Sequence, residues 1–283
     1  MRLDVSYDGS GFSGWARQPD RRTVQGVLED ALAKQPPGAA VPRPVVVAGR
    51  TDAGVHATGQ VVHVDVVPFA GETSSGRLPV DANGVPDLDR MRHRWNRILP
   101  TDVRVLGATV APAGFDARFS AVRRHYRYQV SDAPWGVDPL RRHDTLAWRR
   151  SLSVESMNEA SEALLGLHDF AAFCKQREGA TTVRELQQLV WTRVGEHDVH
   201  ATVSADAFCH SMVRSLVGAL LMVGDGRRPK SWPGQVLDSR VRESVVAPPH
   251  GLTLVRVDYP PDAELAARAE LTRNVRAEVA DNG

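Results

Sequence analysis

The stretch Val45-Val-Val-Ala-Gly-Arg-Thr-Asp-Ala-Gly-Val-His56 leads from one β-branched run into another, at residues 61–67. Short β-branched runs that are bounded by glycine predict strands rather than helices. Between the runs, Asp52, Ala53 and Gly54 have the composition of a tight turn, because glycine adopts a positive φ without steric strain. The sequence therefore predicts a strand, a turn that contains Asp52, and a second strand.

Asp52 has two interpretations at this point. An Asp-X-Gly sequence commonly forms an Asx turn in which the carboxylate serves the backbone alone. A carboxylate on a loop held by rigid strands can also face an open cleft, where catalytic groups are commonly found. The neighbours of Asp52 favour the second interpretation, since Arg50 and Thr51 precede it and His56 follows. Asp52 is therefore a candidate catalytic residue.

The segments before this turn predict the start of a mixed α/β domain. Residues 2–7 alternate apolar and polar side chains, as a half-buried strand does. Thr23 can cap a helix with apolar residues at helical spacing, which ends at Pro36-Pro-Gly38. The glycine-rich loop at residues 8–11 lacks the Gly-Lys-Ser/Thr of a phosphate-binding loop. Strand, helix and strand give a βαβ-like beginning.

The rest of the chain predicts a second domain of the same kind. Residues 68–86 have the composition of a polar loop, and the sequence around Pro112 suits a hinge. Helices and strands then alternate in both halves in a similar order, which predicts an α/β (α+β) protein of two domains. The predicted helices are 87–99, 153–165, 210–223 and 263–279, and the predicted strands are 103–110, 126–130, 186–194, 200–208 and 252–258. The predicted domains are 1–114, which carries the Asp52 turn, 115–262, and a charged helix or tail at 263–283.

The composition is that of an ordinary soluble globular chain, with 42% hydrophobic and 24% charged residues among 283. No run approaches the ~20 apolar residues that cross a bilayer, and no signal or transit peptide is visible. Cys174 and Cys209 are too few for a disulfide framework, and no Cys-X-X-Cys pair indicates zinc. We expect a cytoplasmic protein that has no membrane segment and no metal.

The basic residues are almost all arginines, since only three of the 35 are lysines. Because the formal net charge is only +1, the positions of the basic residues are more informative than the net charge. They cluster around residues 90–97 and 118–127. A guanidinium suits bidentate phosphate contacts, which favours an RNA-binding surface. A genome rich in GC codons would give the same composition with ordinary exposed helix faces, and composition alone leaves both interpretations open.

Three separate segments carry groups capable of chemistry: Arg50 with Asp52, Tyr126 beside Arg124, and Arg214 in a predicted helix. Arg214 could equally form an ion pair on a helix surface, and Tyr126 could be a half-buried strand tyrosine. The histidines His56, His63 and His210 do not have the spacing to other candidate ligands that a metal site requires.

The segment Arg50-Thr-Asp-Ala-Gly-Val-His-Ala57, followed by Gly59-Gln-Val61, resembles the signature of the TruA-type tRNA pseudouridine synthases. One octapeptide can arise by chance, but further blocks of this chain resemble the same family in the same order. They are residues 7–15, 23–32, 99–102, 117–121, 124–128, 168–170, 208–218 and 247–252.

The resemblance implies a fold, a reaction and a partner. The fold is two ferredoxin-like (RRM-like) domains whose antiparallel sheets join across a central catalytic cleft. The reaction is isomerisation of uridine to pseudouridine at positions 38, 39 and 40, in the anticodon arm of tRNA. Members of the family use no metal and no organic cofactor, and they act as homodimers. An enzyme of this kind must take the nucleotide out of its stack before it reaches the sugar–base bond.

The resemblance also implies roles for individual residues. Asp52 is the nucleophile, which adds to C6 of the base or C1′ of the sugar, or assists departure of the uracilate. Arg214 pairs with Asp52 and keeps it charged. The ring of Tyr126 lies against the target base, and Arg50 holds the flipped nucleotide's phosphate or fills its gap. The arginine clusters supply candidate RNA-contacting residues, Arg92, Arg94, Arg123 and Arg124.

The chain departs from the family pattern at a few positions. Ala16-Arg17 stands where a glutamine is usual, Ser211 stands where a second histidine is common, and residues 70–86 look like extra loop. Two other functions remain. A catalytically silent tRNA-binding relative would keep the arginines and lack Asp52. A metal-dependent nuclease or phosphotransferase would need clustered carboxylates, and the next acidic residue after Asp52 is Asp65.

Overall fold

The computed structural model describes residues 1–34, 44–65, 87–175, 181–243 and 245–281. The chain divides into two compact units. The first comprises Met1–Ala121 with Tyr259–Glu270, and the second comprises Val122–Asp258 with Leu271–Gly283. The domain boundaries expected from the sequence, after residues 114 and 262, stay predictions.

The first unit follows the order strand, helix, strand, strand, helix, strand. Among its described residues the sheet order is β4-β1-β3-β2, with antiparallel pairings. This is the ferredoxin-like order that the resemblance implies, and it confirms the predicted mixed α/β fold. The elements are β1 (Arg2–Tyr7), α1 (Val24–Ala33), β2 (Val46–Val47), β3 (His56–His63), α2 (Leu88–Ile98) and β4 (Val103–Thr109).

Local sequence explains why these elements form. In β1 the alternate residues Leu3, Val5 and Tyr7 are buried, as a strand with one covered face requires. Helix α1 begins after Thr23, whose side chain accepts the backbone N–H of Gly26. Helix α2 begins in the same way after Asp87, whose Oδ1 accepts the N–H of Arg90 at 2.9 Å. Its buried side chains are Met91 and Trp95.

The second unit repeats this order with additions. Its described strands lie in the order β10-β5-β9-β8-β7, and β6 pairs with β5 in parallel. Without β6, β7 and α5, the unit again has the βαββαβ order and the β10-β5-β9-β8 arrangement of the first unit. The elements are β5 (Arg123–Ser131), β6 (Leu146–Ala147), α3 (Val154–Glu162), β7 (Gly166–Asp169), β8 (Val183–Arg193), β9 (Asp198–Ala205), α4 (Met212–Gly224), α5 (Trp232–Ser239) and β10 (Leu252–Asp258), and α6 (Leu265–Asp281) ends the chain.

Helix α4 is the most apolar helix of the second unit. Six of its apolar side chains, which recur at helical spacing, are at most 4% exposed. Ser211, which precedes the helix, has a left-handed backbone with φ of 65°. The buried set is Met212, Val213, Leu216, Val217, Leu220 and Leu221.

Three elements were not predicted. Strands β6 and β7 are too short to give a clear pattern. Helix α5 contains Pro233-Gly234, a pair typical of a helix break, although proline is tolerated in the first turn of a helix. The predicted loop at 68–86 lies outside the described residues. Cys174 and Cys209 are bridged, with their Cα atoms 5.7 Å apart, a pairing that their separation of 35 positions did not indicate. None of the described helices is long and apolar enough to cross a membrane.

Candidate active site

Asp52 lies in the connection between β2 and β3, as predicted. The carbonyl of Asp52 accepts the N–H of Val55 at 3.2 Å, which closes a four-residue turn. The third residue of this turn, Gly54, has φ of +78°, the sign that a type II turn requires there. The Asp52 side chain is half-buried. The turn therefore presents a carboxylate from a defined backbone.

The loop that follows β1 supports this turn from one side. The N–H of Trp15 donates to the carbonyl of Thr51 at 3.0 Å, and the N–H of Gly54 donates to the carbonyl of Phe12 at 3.3 Å. Between them Gly14, at φ of +93°, approaches so closely that an added Cβ would lie 3.2 Å from the Thr51 carbonyl oxygen. Only glycine fits there without moving the backbone next to Asp52.

Arg50 is exposed and has a second arginine nearby in the first unit. The pKa of Arg118 is lowered first by burial and then by the positive charge of Arg50, while Asp116 acts in the opposite direction. Two like charges close to the Asp52 turn attract anions. Arg118 lies in one of the segments that resemble the family and begins the arginine cluster at 118–127, but it was not among the individual RNA-contacting candidates.

Tyr126 lies on β5 in the second unit and is 7% exposed. Its ring meets that of Phe208 edge-to-face, with centroids 5.2 Å apart and planes at 87°. An aromatic pair of this geometry restrains both rings. Phe208 was not selected from the sequence, since an apolar residue after a strand gives no signal of a site.

Arg214 lies in the first turn of α4, and its Nε donates to the carbonyl of Ala247 at 2.7 Å. The charge of Arg214 also acts on Tyr128. Burial raises the pKa of Tyr128, and the positive charge of Arg214 opposes that rise. The guanidinium is therefore held in a defined place beside a buried hydroxyl. Asp52 and Arg50 belong to the first unit, Tyr126 and Arg214 to the second, and the Asp52–Arg214 pairing stays a prediction.

The four candidate RNA-contacting arginines differ in how many hydrogen bonds and ion pairs they form within the protein. Arg92 donates to the carbonyl of Leu106 at 2.7 Å and pairs with Asp89 at 3.0 Å. Arg123 donates to Gln187 at 2.5 Å and is exposed. Arg124 is only 7% exposed and donates to the carbonyl of Asp206 at 2.6 Å. Arg94 is half-buried on α2, and within the described residues no hydrogen bond of its side chain is found.

A Ser–His–Asp array also lies in the second unit. His125 Nδ1 is 2.7 Å from the hydroxyl of Ser204, and its Nε2 is 2.6 Å from Asp258. The hydroxyl is not available to a substrate, because Ser204 is 1% exposed. We interpret the array as a hydrogen-bonded link between β9, β5 and β10. In the part of the chain that the structure describes, no group of three or more His, Cys, Asp or Glu residues could hold a metal ion.

Comparison with known proteins decides the family. The family model for tRNA pseudouridine synthase matches residues 5–120 and 160–260. The chain belongs to the tRNA pseudouridine synthase family. It is therefore a pseudouridine synthase, an isomerase, and the resemblance drawn from the Arg50–Ala57 segment and the other blocks is confirmed.

Individual tRNA pseudouridine synthases match nearly the whole chain. A protein named tRNA pseudouridine synthase A from Frankia casuarinae is 58% identical over 98% of this chain and 95% of its own length. The protein of the same name from Mycobacterium leprae is 53% identical over 98% and 95%. That from Streptomyces griseus is 54% identical over 98% and 93%.

Proposed function

We propose that this chain converts uridine to pseudouridine in the anticodon arm of tRNA, at positions 38, 39 and 40, with Asp52 as the nucleophile. The observation that carries the proposal is the half-buried Asp52 carboxylate on a turn whose backbone is bonded to Phe12 and Trp15. Relatives named tRNA pseudouridine synthase A, at 50% identity or more, support tRNA as the substrate.

The reaction rearranges one nucleotide without a net gain or loss of atoms. The bond between C1′ and N1 breaks, the base turns, and C1′ bonds to C5. The proton lost from C5 is balanced by a proton gained at N1. Asp52 would add to C1′ or to C6, or assist departure of the base, and a carboxylate on a rigid turn suits each role because little reorganisation follows binding.

The other residues have roles that follow from their chemistry. Arg214, held by Ala247, would place a positive charge beside Asp52 and favour its ionised form in a partly dry site. Tyr126 would stack its ring against the flipped base, with its hydroxyl able to move a proton. Arg50, with Arg118 nearby, would attract the phosphate of the flipped nucleotide.

We also propose that the protein acts as a cytoplasmic homodimer without metal or organic cofactor. Family resemblance supports each of these statements. Light scattering on the purified protein would test the dimer, which predicts about twice the 30.9 kDa chain mass. A mass equal to that of the single chain at micromolar concentration would contradict it.

Incubation of unmodified tRNA with the protein tests the reaction and its position. Pseudouridine would be labelled with carbodiimide and mapped by primer extension, with and without EDTA. We expect stops in the anticodon arm under both conditions. Modification confined to another arm would contradict the site. Magnesium-dependent cleavage products without pseudouridine would favour a nuclease instead.

A further inference from the structure

Two residues in segments that resemble the family, Tyr7 and Gln60, have no role in the proposed reaction. Both belong to the first unit, Tyr7 at the end of β1 and Gln60 in the middle of β3. They lie within the sheet next to the Asp52 turn, and both carry polar groups in its interior. Tyr7 is 4% exposed and Gln60 is 0% exposed.

The Gln60 amide is oriented by bonds on both of its ends. Its Oε1 accepts the N–H of Val61 at 3.3 Å, which assigns Nε2 as the donor. Nε2 then donates to the Tyr7 hydroxyl at 3.1 Å and to the Gly49 carbonyl at 2.8 Å. Gln60 therefore ties the start of the Asp52 connection to β1 through one side chain.

The Tyr7 hydroxyl continues this chain to Thr51. Its oxygen lies 2.7 Å from Oγ1 of Thr51, which is 6% exposed. Since the Tyr7 oxygen accepts a hydrogen bond from Gln60, its own O–H forms a hydrogen bond within this network only if it donates to Thr51. Buried polar groups are rarely left without a partner, so the direction is Gln60 to Tyr7 to Thr51.

We propose that Gln60 and Tyr7 are positioning residues, which fix Thr51 and thereby the backbone from which Asp52 projects toward the substrate. The inference rests on the proposed role of Asp52 as nucleophile. Bonds from Trp15 and Phe12 hold the backbone of this turn on one side. The Gln60–Tyr7–Thr51 relay holds it through a side chain from the sheet.

The relay keeps its hydrogen bonds over the pH range in which enzymes work. Burial raises the pKa of Tyr7 to about 12, although its bonds to Thr51 and Gln60 act in the opposite direction. Tyr7 is therefore a neutral donor at neutral pH and at moderately alkaline pH. A variant that lacks this donor should lose rate by the same factor at every pH between about 6 and 9, because no titration is removed.

Near-attack geometry makes the rate sensitive to this support, since a displacement of about 1 Å can lower a rate by about 100-fold. We expect Tyr7→Phe and Thr51→Val to lower the single-turnover rate of pseudouridine formation by roughly tenfold each, with the Kd for tRNA unchanged within about twofold. Thr51→Ser, which keeps the hydroxyl, should restore most of the rate. The double variant should be no slower than the slower single variant, because both remove the same link.

Tyr259→Phe is the matched control. Its hydroxyl donates to the Ala117 carbonyl at 2.7 Å within the same unit, and the hydrogen bonds of the relay join Gln60, Tyr7, Thr51 and Gly49 instead. We expect a wild-type rate even if the melting temperature falls, which separates positioning from general stability. Wild-type rates for Tyr7→Phe and Thr51→Val, or independent effects that multiply in the double variant, would overturn the inference.

Asp52→Asn distinguishes this inference from the proposed function. If Asp52→Asn is inactive and Tyr7→Phe has the wild-type rate, the relay is wrong and the nucleophile stands. If Asp52→Asn keeps the wild-type rate, the proposed nucleophile is wrong and the inference falls with it. If Asp52→Asn is inactive, and Tyr7→Phe and Thr51→Val each lose rate about tenfold without multiplying in the double variant, both the nucleophile and the relay are supported.

Discussion

Arg214 and Ala247 are bonded to each other twice. The Nε of Arg214 donates to the Ala247 carbonyl at 2.7 Å, and the Ala247 N–H donates to the Arg214 carbonyl at 3.0 Å. The first bond fixes the side chain and the second fixes the backbone of α4 against the segment before β10. A guanidinium restrained in this way is held in one orientation.

Arg214→Lys should therefore lower kcat although it keeps the positive charge. Lysine carries all of its donors on one terminal nitrogen, so it has no counterpart of the arginine Nε with which to hold Ala247 while its ammonium group faces a carboxylate. We expect a loss of roughly 10-fold to 100-fold in kcat and a small change in KM. Arg228→Lys is the control, since Arg228 lies 4.8 Å over the Trp232 ring and outside the proposed site. Equal kcat values for Arg214→Lys and wild type would remove Arg214 from the reaction.

Tyr126→Phe separates the ring of Tyr126 from its hydroxyl. The variant keeps the edge-to-face contact with Phe208, so tRNA affinity should change little. If the hydroxyl moves a proton, the single-turnover rate should fall by about 100-fold or more. A rate within about twofold of wild type would limit Tyr126 to stacking, and Tyr126→Leu would then show how much the ring contributes.

Arg94→Gln should weaken tRNA binding and reduce its salt dependence by about one unit of log–log slope, as expected for one lost phosphate contact. Arg92→Gln should have a smaller effect, because Arg92 already contacts Asp89 and the Leu106 carbonyl. Arg104→Gln is the control, since Arg104 donates to the Pro100 carbonyl at 2.5 Å. Fluorescence titrations at several salt concentrations would measure the slopes. Unchanged slopes for both α2 variants would place the RNA surface elsewhere.

Asp132 should make stability depend on pH in the acid range. Burial alone would raise the pKa of Asp132, but the bonds from Arg193 and the Leu152 N–H, with the charges of Arg193 and His197, lower it below its ordinary 3.8. A carboxyl with a lowered folded pKa stabilises the protein above its unfolded pKa, and this contribution is lost as the pH falls through the folded value.

Asp132→Asn should therefore lower the free energy of unfolding by ~1–3 kcal/mol at neutral pH, and the difference should shrink below about pH 4. Urea unfolding at several pH values would measure it. The control is Asp138→Asn, since Asp138 is exposed and caps the turn at Leu140 with an oxygen that asparagine also has. A difference that grew on acidification would contradict the assigned sign.

Local sequence predicted those features that depend on neighbouring residues. The Thr23 cap, the helix predicted at 210–223 and the Leu252–Asp258 strand are each encoded within a few positions. The Asp52 turn is local as well, since it needs a glycine at position 54 and strands on either side. Helix α5 was not predicted, because its proline and glycine disfavour a helix locally and the tertiary contacts that stabilise it cannot be seen in the local sequence.

Contacts between distant residues were not predictable from one sequence. Tyr7 and Thr51 are 44 positions apart, and Arg214 and Ala247 are 33 apart. The bonded groups meet only after the sheet and α4 have formed. Resemblance to a family selected several of these residues, but it gave no geometry. The structure supplied the bonds that make Tyr7 and Ala247 relevant to the site.

The most direct test of the account is single-turnover pseudouridine formation by Asp52→Asn, measured with tRNA binding on the same samples. Asparagine keeps the size and most hydrogen bonds of the side chain but removes the nucleophilic carboxylate. Asp4→Asn is the control, since Asp4 pairs with Arg2 at 3.1 Å on β1. We predict no detectable pseudouridine with Asp52→Asn, wild-type tRNA affinity, and a wild-type rate for Asp4→Asn. Pseudouridine formed at the wild-type rate by Asp52→Asn would contradict the account.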